Sequence, residues 1–393
     1  MAGGSPQRGA DVAAETARDL IVRVSRPHAV AFLLMAALLN ILIGLALAPR
    51  VERIGDFTEV LGWTREWIDG GNPYAPPDSL ADYPPNAFVT LAPLAAISAE
   101  RAIRIWIALN VLLAAATGWM ASRLARFGRW RVAFAALVLM LPSFRTLNQF
   151  SIAAFAPAMA GFLIAPRYPI AGGIAIGISL MKPHIGGPAL LWAIATGRWK
   201  TAAAALAVPA ALFAGYALRA AEPAGRILAE HAQAIARTQN RAAGDLLPGE
   251  TNLQPMLEWT GFSALSQQAI VALLLALAVF WIWRRRGEDF DLRLFAAACL
   301  VSLLALRHLG YNLLLAIPAL AFLWRRTATA ARVIAALSFA VLIASPPTLW
   351  RVALEPRGWT ALEPLVPHAY RAVMVLLFVA TISVSGSTRT RSS

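Results

Sequence analysis

Charged side chains and cysteine are both scarce in this sequence. Of its 393 residues, 14% are charged and 59% are hydrophobic, whereas soluble proteins carry about a quarter charged residues. The single cysteine, Cys299, excludes an intrachain disulfide and a cysteine-based zinc site. The composition therefore excludes an ordinary cytosolic enzyme, a disordered chain and a collagen-like fibre, and it predicts a chain embedded in lipid.

Several common catalytic motifs are also missing. The sequence has no P-loop, no G-x-G-x-x-G followed by a helix and no H-E-x-x-H, so it shows no sign of a nucleotide site or a zinc protease site. The first long loop has no D-x-D pair beside Asp56, and the nearest acids are Glu52 and Glu59. A metal held by carboxylates is therefore not indicated, and we expect no metal and no cofactor. No internal repeat of the kind found in many transporters is visible.

The apolar runs of the chain predict an all-α, polytopic integral membrane protein with about 12 transmembrane helices. The first run is about 20 residues long and lacks a cleavage site of small residues, which favours an uncleaved anchor over a signal peptide. The predicted spans are about 29–48, 102–121, 132–147, 150–165, 169–182, 184–197, 201–218, 265–283, 291–306, 310–324, 330–345 and 369–386. The apolar segment 87–98 is too short to span and is predicted to be re-entrant or interfacial.

The distribution of basic residues gives the predicted orientation. With the N-terminus in the cytoplasm, the inner segments hold the whole formal excess of +14, as the positive-inside rule requires. The charge is thus a topological signal, and a nucleic-acid partner is rejected in favour of membrane lipids. The predicted organisation is a cytoplasmic tail 1–27, one transmembrane domain 28–386 with long outer loops about 49–101, 219–264 and 346–368, and a disordered cytoplasmic tail 387–393.

The first outer loop supplies the main catalytic candidate. Residues 57–69 have helical periodicity and are predicted to form an amphipathic helix in the membrane interface, held by Trp63 and Trp67. Asp56 precedes this helix at the membrane boundary, where a positioned carboxylate can act as a general base. The alternative is that Asp56 only caps the helix, since aspartate is a common N-cap residue.

Other polar residues interrupt the apolar runs at their outer ends, where buried charge is costly and commonly functional. Lys182 and Arg307 are candidates for binding one lipid phosphate; the alternative is that each extends to the interface. His308 is expected to be neutral beside Arg307, and to donate a hydrogen bond to a phosphate, to position an acceptor, or simply to pack. The remaining candidates for substrate contact are Asn148, Gln149, His184, Asn252 and Gln254. The last two lie in the second long loop and are equally consistent with a loop that contacts no substrate.

The order of these motifs resembles glycosyltransferase family 87. The resemblance covers about residues 28–386 and rests on Gly-Asp-Phe (55–57), Gly-Asn-Pro-Tyr (71–74), Tyr-Pro-Pro (83–85), Asn148-Gln149 and Lys-Pro-His (182–184). The family often has Gly where this chain has Asn148. The resemblance implies GT-C architecture, a polyprenyl-phosphate-linked donor of mannose or arabinofuranose, and a glycolipid or glycan acceptor. It also implies Asp56 as the general base, a catalytic role for His308 and substrate contact by Tyr74.

One well-placed carboxylate predicts an inverting single displacement at the extracytoplasmic face of the inner or plasma membrane, with both termini in the cytoplasm. A lipid monophosphate leaving group needs less neutralisation than a pyrophosphate, which agrees with the missing metal motif. Two alternatives remain: a transporter or flippase of lipid-linked glycans, and a non-catalytic scaffold. The long outer loops and the lack of repeats count against the transporter.

Overall fold

The computed structural model describes residues 28–47, 56–77, 79–125, 131–242, 253, 264–284, 290–306, 308–326, 328–345, 355–357 and 366–384. Within these ranges, all regular secondary structure is helical. The α-helices are α1 (His28–Leu47), α2 (Asp56–Ile68), α3 (Pro85–Ala95), α4 (Ala99–Ala125), α5 (Arg131–Leu139), α6 (Phe150–Ile164), α7 (Pro169–Ser179), α8 (Pro183–Ala195), α9 (Trp199–Ala220), α10 (Ala224–Ala242), α11 (Ala264–Arg284), α12 (Phe290–Ala305), α13 (Ile317–Trp324), α14 (Thr329–Ala344) and α15 (Val366–Ser383). Short 3₁₀ turns occupy Pro142–Arg145, Gly310–Ala316 and Glu355–Arg357.

The all-helical class and the membrane character are confirmed. Each of the twelve predicted apolar runs contains a helix. Three helices in the described ranges, α1, α4 and α9, are long and apolar enough to cross a bilayer, with 20, 27 and 22 residues. The total of about 12 spans stays a prediction, because most of the other apolar helices have only 10–17 residues. In the predicted run 132–147, for example, the α-helix ends at Leu139, because Pro142 begins a 3₁₀ turn.

The centre of the bundle is formed by α6, α12 and α13, whose side chains are nearly all buried. Helix α1 instead exposes most of its apolar side chains, as expected for a surface solvated by lipid. Glycine residues in α7 allow this helix to lie unusually close to its neighbours, because they have no Cβ atom. A Cβ atom at Gly177 would lie 2.8 Å from the carbonyl oxygen of Ala205 and 2.6 Å from Cβ of Val208, both in α9.

The first loop forms a helical layer over one end of this bundle. The predicted amphipathic helix is observed as α2, and the predicted interfacial segment as α3. The expected anchoring of α2 by Trp67 in the interface is wrong: this indole is 6% exposed and stacks on Tyr216 of α9 at 5.2 Å. Phe57 of α2 likewise stacks on Trp106 of α4 at 4.7 Å. Aromatic packing thus fixes α2 to the bundle, and its first residue is held in place.

Candidate active site

The carboxylate of Asp56 is the centre of a polar cluster at this end of the bundle. Its Oδ2 accepts a hydrogen bond of 2.6 Å from the Tyr83 hydroxyl and lies 3.2 Å from Nζ of Lys182. The side-chain amide of Gln149 is assigned so that its NH₂ group faces the carboxylate. Its nitrogen then donates to Oδ2 of Asp56 at 2.5 Å and to Oδ1 at 3.2 Å. The side chain of Asp56 keeps 24% of its surface exposed. The carboxylate is therefore rigidly held and still accessible.

These contacts also bear on the alternative that Asp56 caps α2. The residue stands in the first turn of α2, where a negative charge favours the helix electrostatically. Within the part of the chain that the structure describes, its oxygens are bound by side chains of other segments and not by an N–H of α2. The backbone N–H of Phe57 is bound instead by the carbonyl oxygen of Asn148, at 3.3 Å. Asn148 thus supports the start of α2 through its backbone.

Helix starts bring the partners of Asp56 together. Gln149 directly precedes α6, and Lys182 directly precedes α8, where Pro183 takes the first helical position. The N-terminal ends of α2, α6 and α8 therefore converge on one point. Since helix N-termini carry partial positive charge, this point favours an anion in addition to the Asp56 carboxylate.

Lys182 is the one cation in direct contact with Asp56 among the described residues, and it is almost wholly buried, with 3% exposure. Its Nζ lies 3.4 Å from Oγ of Ser151 and above the ring of Tyr311, 5.0 Å from the centroid. Ser151 in turn donates to Oδ1 of Asn312 at 2.5 Å. Aromatic rings, a hydroxyl and a carboxylate therefore replace the water that a lysine would otherwise keep.

The predicted histidines lie next to each other beside this cluster. The rings of His184 and His308 meet edge to face with centroids 4.8 Å apart. Ser302 donates its only hydroxyl proton to the carbonyl oxygen of His184 at 2.6 Å, so it must accept from Nε2 of His308, which lies 3.1 Å away. Nδ1 of His308 is then a lone-pair acceptor, and in the described part of the chain it has no partner.

The charge state of His308 follows from its surroundings. Burial, and then the positive charge of Lys182, lower the pKa of His308 to about 3. The imidazole is therefore neutral at physiological pH. The sequence prediction argued from Arg307, which lies outside the described residues, whereas the cation beside His308 in the structure is Lys182. Because its Nε2–H is committed to Ser302, the neutral ring can accept a hydrogen bond at Nδ1 but cannot donate one there.

Tyr74 has a supporting position. It is fully buried, and its hydroxyl donates to the carbonyl oxygen of Tyr83 at 2.7 Å. The preceding Asn72 accepts from the backbone N–H of Tyr74 and donates to Glu222 and Glu230 at 3.0 and 2.6 Å. The Gly-Asn-Pro-Tyr motif therefore fixes the loop that carries Tyr83, and through it Asp56.

Asp82 and Tyr83 are members of the cluster that were not predicted from the sequence. Burial, and then the charge of Asp56, raise the pKa of Asp82 to about 6, while Lys182 opposes this rise. Burial and Asp56 likewise raise the pKa of Tyr83, which keeps its hydroxyl protonated as a donor. The available signal was the Tyr-Pro-Pro motif, which contains Tyr83 and directly follows Asp82.

The remaining predicted residues, Arg307, Asn252 and Gln254, lie outside the described residues. Among the described histidine, cysteine, aspartate and glutamate side chains, no group of three or more is arranged to hold a metal ion. The structure therefore unites Asp56, Gln149, Lys182, His184 and His308 at one end of the bundle, with Tyr74 behind them. This combination of one accessible carboxylate, one buried cation and convergent helix N-termini suits proton removal next to an anionic group.

Comparison with known proteins identifies the family. The family model described as glycosyltransferase family 87 matches residues 82–307, which is more than half of the 393 residues. The match includes Tyr83, Gln149, Lys182, His184 and Ser302. Asp56 precedes it, and His308 directly follows its last residue. No curated protein and no solved structure matches the chain. The chain belongs to glycosyltransferase family 87 and is a membrane glycosyltransferase.

Proposed function

We propose that this glycosyltransferase moves a sugar from a polyprenyl-phosphate-linked donor to a hydroxyl of a glycolipid or glycan acceptor, with Asp56 as the general base. Mannose and arabinofuranose are the sugars that the family resemblance implies. The observation that carries the proposal is the accessible Asp56 carboxylate, which is oriented by Tyr83, Lys182 and Gln149.

The hydrogen bonds of Asp56 leave one oxygen suited to proton transfer. Oδ2 receives Tyr83, Lys182 and the shorter bond of Gln149, whereas Oδ1 receives only the 3.2 Å bond of Gln149. A carboxylate oxygen has two lone pairs. Oδ1 therefore has a lone pair that can accept the proton of an acceptor hydroxyl.

The phosphate of the donor is proposed to bind at Lys182 and the convergent helix N-termini. A phosphate that approaches Nζ of Lys182 competes with the Asp56 carboxylate for that ammonium group. The phosphate is thereby stabilised as the leaving group beside the base. Tyr311 and Ser151, which surround the ammonium group, keep it oriented during this exchange.

The neutral His308 is proposed to accept a hydrogen bond from a hydroxyl of the sugar. Its Nδ1 lone pair is buried and faces no described donor. Such an acceptor suits a sugar hydroxyl, and Ser302 fixes the tautomer that makes it available. His184 packs against the His308 ring and limits its rotation.

The proposed reaction is a single displacement that inverts the anomeric carbon. The acceptor oxygen bonds to this carbon, its proton passes to Oδ1 of Asp56, and the bond to the phosphate oxygen breaks with its electron pair staying on the lipid phosphate. The reaction takes place at the extracytoplasmic face of the cell membrane. The predicted long outer loops and the positive-inside distribution of basic residues support this placement.

The test offers purified protein a panel of polyprenyl-phosphate sugars with a glycolipid extract. We expect Asp56→Asn to lower kcat by about 10²–10⁴, because it removes the general base, while the melting temperature stays close to that of the wild type. Glu59→Gln, an exposed carboxyl three residues away on the same helix, is the matched control and should retain activity.

Two results would contradict the proposal. Equal turnover by Asp56→Asn and wild type would remove Asp56 from the reaction. A product with retained anomeric configuration would exclude the single displacement.

A further inference from the structure

A cavity of about 460 Å³ opens at the end of the bundle opposite to Asp56. It lies between the C-terminal ends of α4 and α6, the far end of α8, the start of α12 and the end of α13. Its floor is apolar and includes Phe162 and the fully buried Trp192. This volume falls in the range of ordinary small-molecule sites.

The rim of the cavity is basic. Arg123 and Arg325 line it, together with one acid, Asp291. Asp291 is already neutralised, because its Oδ2 lies 2.7 Å from a guanidinium nitrogen of Arg198. Arg198 itself is held over the ring of Trp192 at 5.1 Å. The described lining residues, taken together with Arg198, therefore carry a net positive charge above an aromatic floor.

An apolar floor with a basic rim fits an amphiphile that has an anionic head and an apolar stem. Guanidinium groups bind phosphate oxygens in bidentate geometry. The cavity stands at the end of apolar helices, where lipid headgroups are the abundant phosphates, and basic pockets between membrane helices bind anionic lipids. We propose that this cavity binds the phosphoglycerol headgroup of an anionic phospholipid, at a site separate from the proposed catalytic cluster.

Arg123 offers the clearest variant. It is exposed near the end of α4, so its replacement should leave the fold intact. Arg104 is its matched control, since it is also exposed on α4, near the opposite end of the helix and in an ion pair with Glu100. The full-length protein in detergent would be titrated with dioleoyl phosphatidylglycerol, dioleoyl phosphatidylcholine or inorganic phosphate. Lipid adducts are counted by native mass spectrometry, and the melting temperature is recorded in parallel.

We expect phosphatidylglycerol, but not phosphatidylcholine or inorganic phosphate, to form a stable adduct and raise the melting temperature. Arg123→Gln should weaken this binding about tenfold, because one hydrogen bond to a charged group is lost, whereas Arg104→Gln should not. Arg325→Gln, with its melting temperature checked without lipid, should act in the same direction as Arg123→Gln.

Three results would overturn the inference. Equal binding of the two lipids would show that the cavity does not select anionic headgroups. An equal loss in Arg104→Gln would indicate unspecific lipid around the bundle. The same stabilisation by inorganic phosphate alone would identify a free-anion site instead of a lipid site.

Discussion

Asp56 is surrounded by side chains that separate its two oxygens by function. Oδ2 is saturated by a phenol, an ammonium group and an amide, and Oδ1 is left open on one side. A free carboxylate in water would rotate and lose this distinction. In the protein the carboxylate keeps one orientation because its partners are themselves rigid. Lys182 is buried, and the Tyr74 hydroxyl fixes Tyr83 through its carbonyl oxygen.

The second carboxyl of the cluster predicts a pH dependence. The Asp82 carboxyl has a pKa of about 6, so it gains a proton as the pH falls through that value. The negative charge that Asp82 adds to the cluster, which favours the arrival of a proton there, is then lost. We expect log kcat of the wild type to fall as the pH drops through about 6, and we expect Asp82→Asn to lack this inflection and to have a lower plateau above it.

The measurement is a pH–rate profile from pH 5 to pH 8 with saturating donor. Asp69→Asn, an exposed carboxyl just after α2, is the control and should keep the wild-type profile. If Asp82→Asn also keeps the inflection, the titrating group is a different one.

The sequence predicted part of this cluster, for a physical reason. Gln149, Lys182 and His308 interrupt apolar runs, and polar residues at membrane depth are conspicuous in any hydropathy pattern. Asp82 and Tyr83 lie in a polar loop, where one more acid or tyrosine carries no signal. Their positions depend on contacts with a helix about 150 residues later in the chain, which no local pattern reveals.

That helix, α10, acts as a clamp on the first loop. Arg237 donates to the carbonyl oxygens of Pro76 and Tyr74 at 2.6 and 3.1 Å. Nε2 of His231 lies 3.2 Å from the carbonyl oxygen of Asp82. The loop has no regular structure between α2 and α3, so these contacts supply partners for its backbone carbonyls. The sequence predicted a long outer loop at about 219–264, and the structure shows that Ala224–Ala242 of this region is a helix that orders the first loop.

The clamp predicts that a distant substitution impairs the cluster. Arg237→Gln removes two hydrogen bonds from a charged donor, each worth about 1.5–3 kcal/mol. We expect faster proteolytic cleavage within residues 75–82 and a several-fold lower kcat, because Tyr83 then orients Asp56 less well. Gln233→Ala is the control, since Gln233 is exposed on α10 one turn before Arg237. Equal cleavage rates for the two variants would contradict the clamp.

For the molecule as a whole, the orientation in the membrane is the prediction that most needs a direct test. The sequence places the basic excess in the cytoplasm, and the structure separates the Asp56 cluster and the basic cavity to opposite ends of one bundle. The presence of a helix in each apolar run was predictable from the sequence. The number of helices that cross the bilayer was not, because prolines and 3₁₀ turns divide several runs into short segments.

The single cysteine makes this test simple. Cys299 is fully buried, so the wild-type chain should not react with a membrane-impermeant maleimide. Ala75→Cys and Ala328→Cys each introduce an exposed thiol, at the Asp56 end and at the Arg325 end respectively. We expect labelling of Ala75→Cys in intact cells and of Ala328→Cys only after permeabilisation. The reverse pattern would invert the proposed orientation.

The ion pair between Asp56 and Lys182 also constrains biosynthesis. Its partners are 126 residues apart, and at about 5–20 residues per second a ribosome needs roughly 6–25 seconds to cover that distance. During this interval the carboxylate has neither its ammonium partner nor, for most of the time, its amide partner. A chain that leaves the insertion machinery before α8 thus carries the Asp56 carboxylate without its ammonium partner.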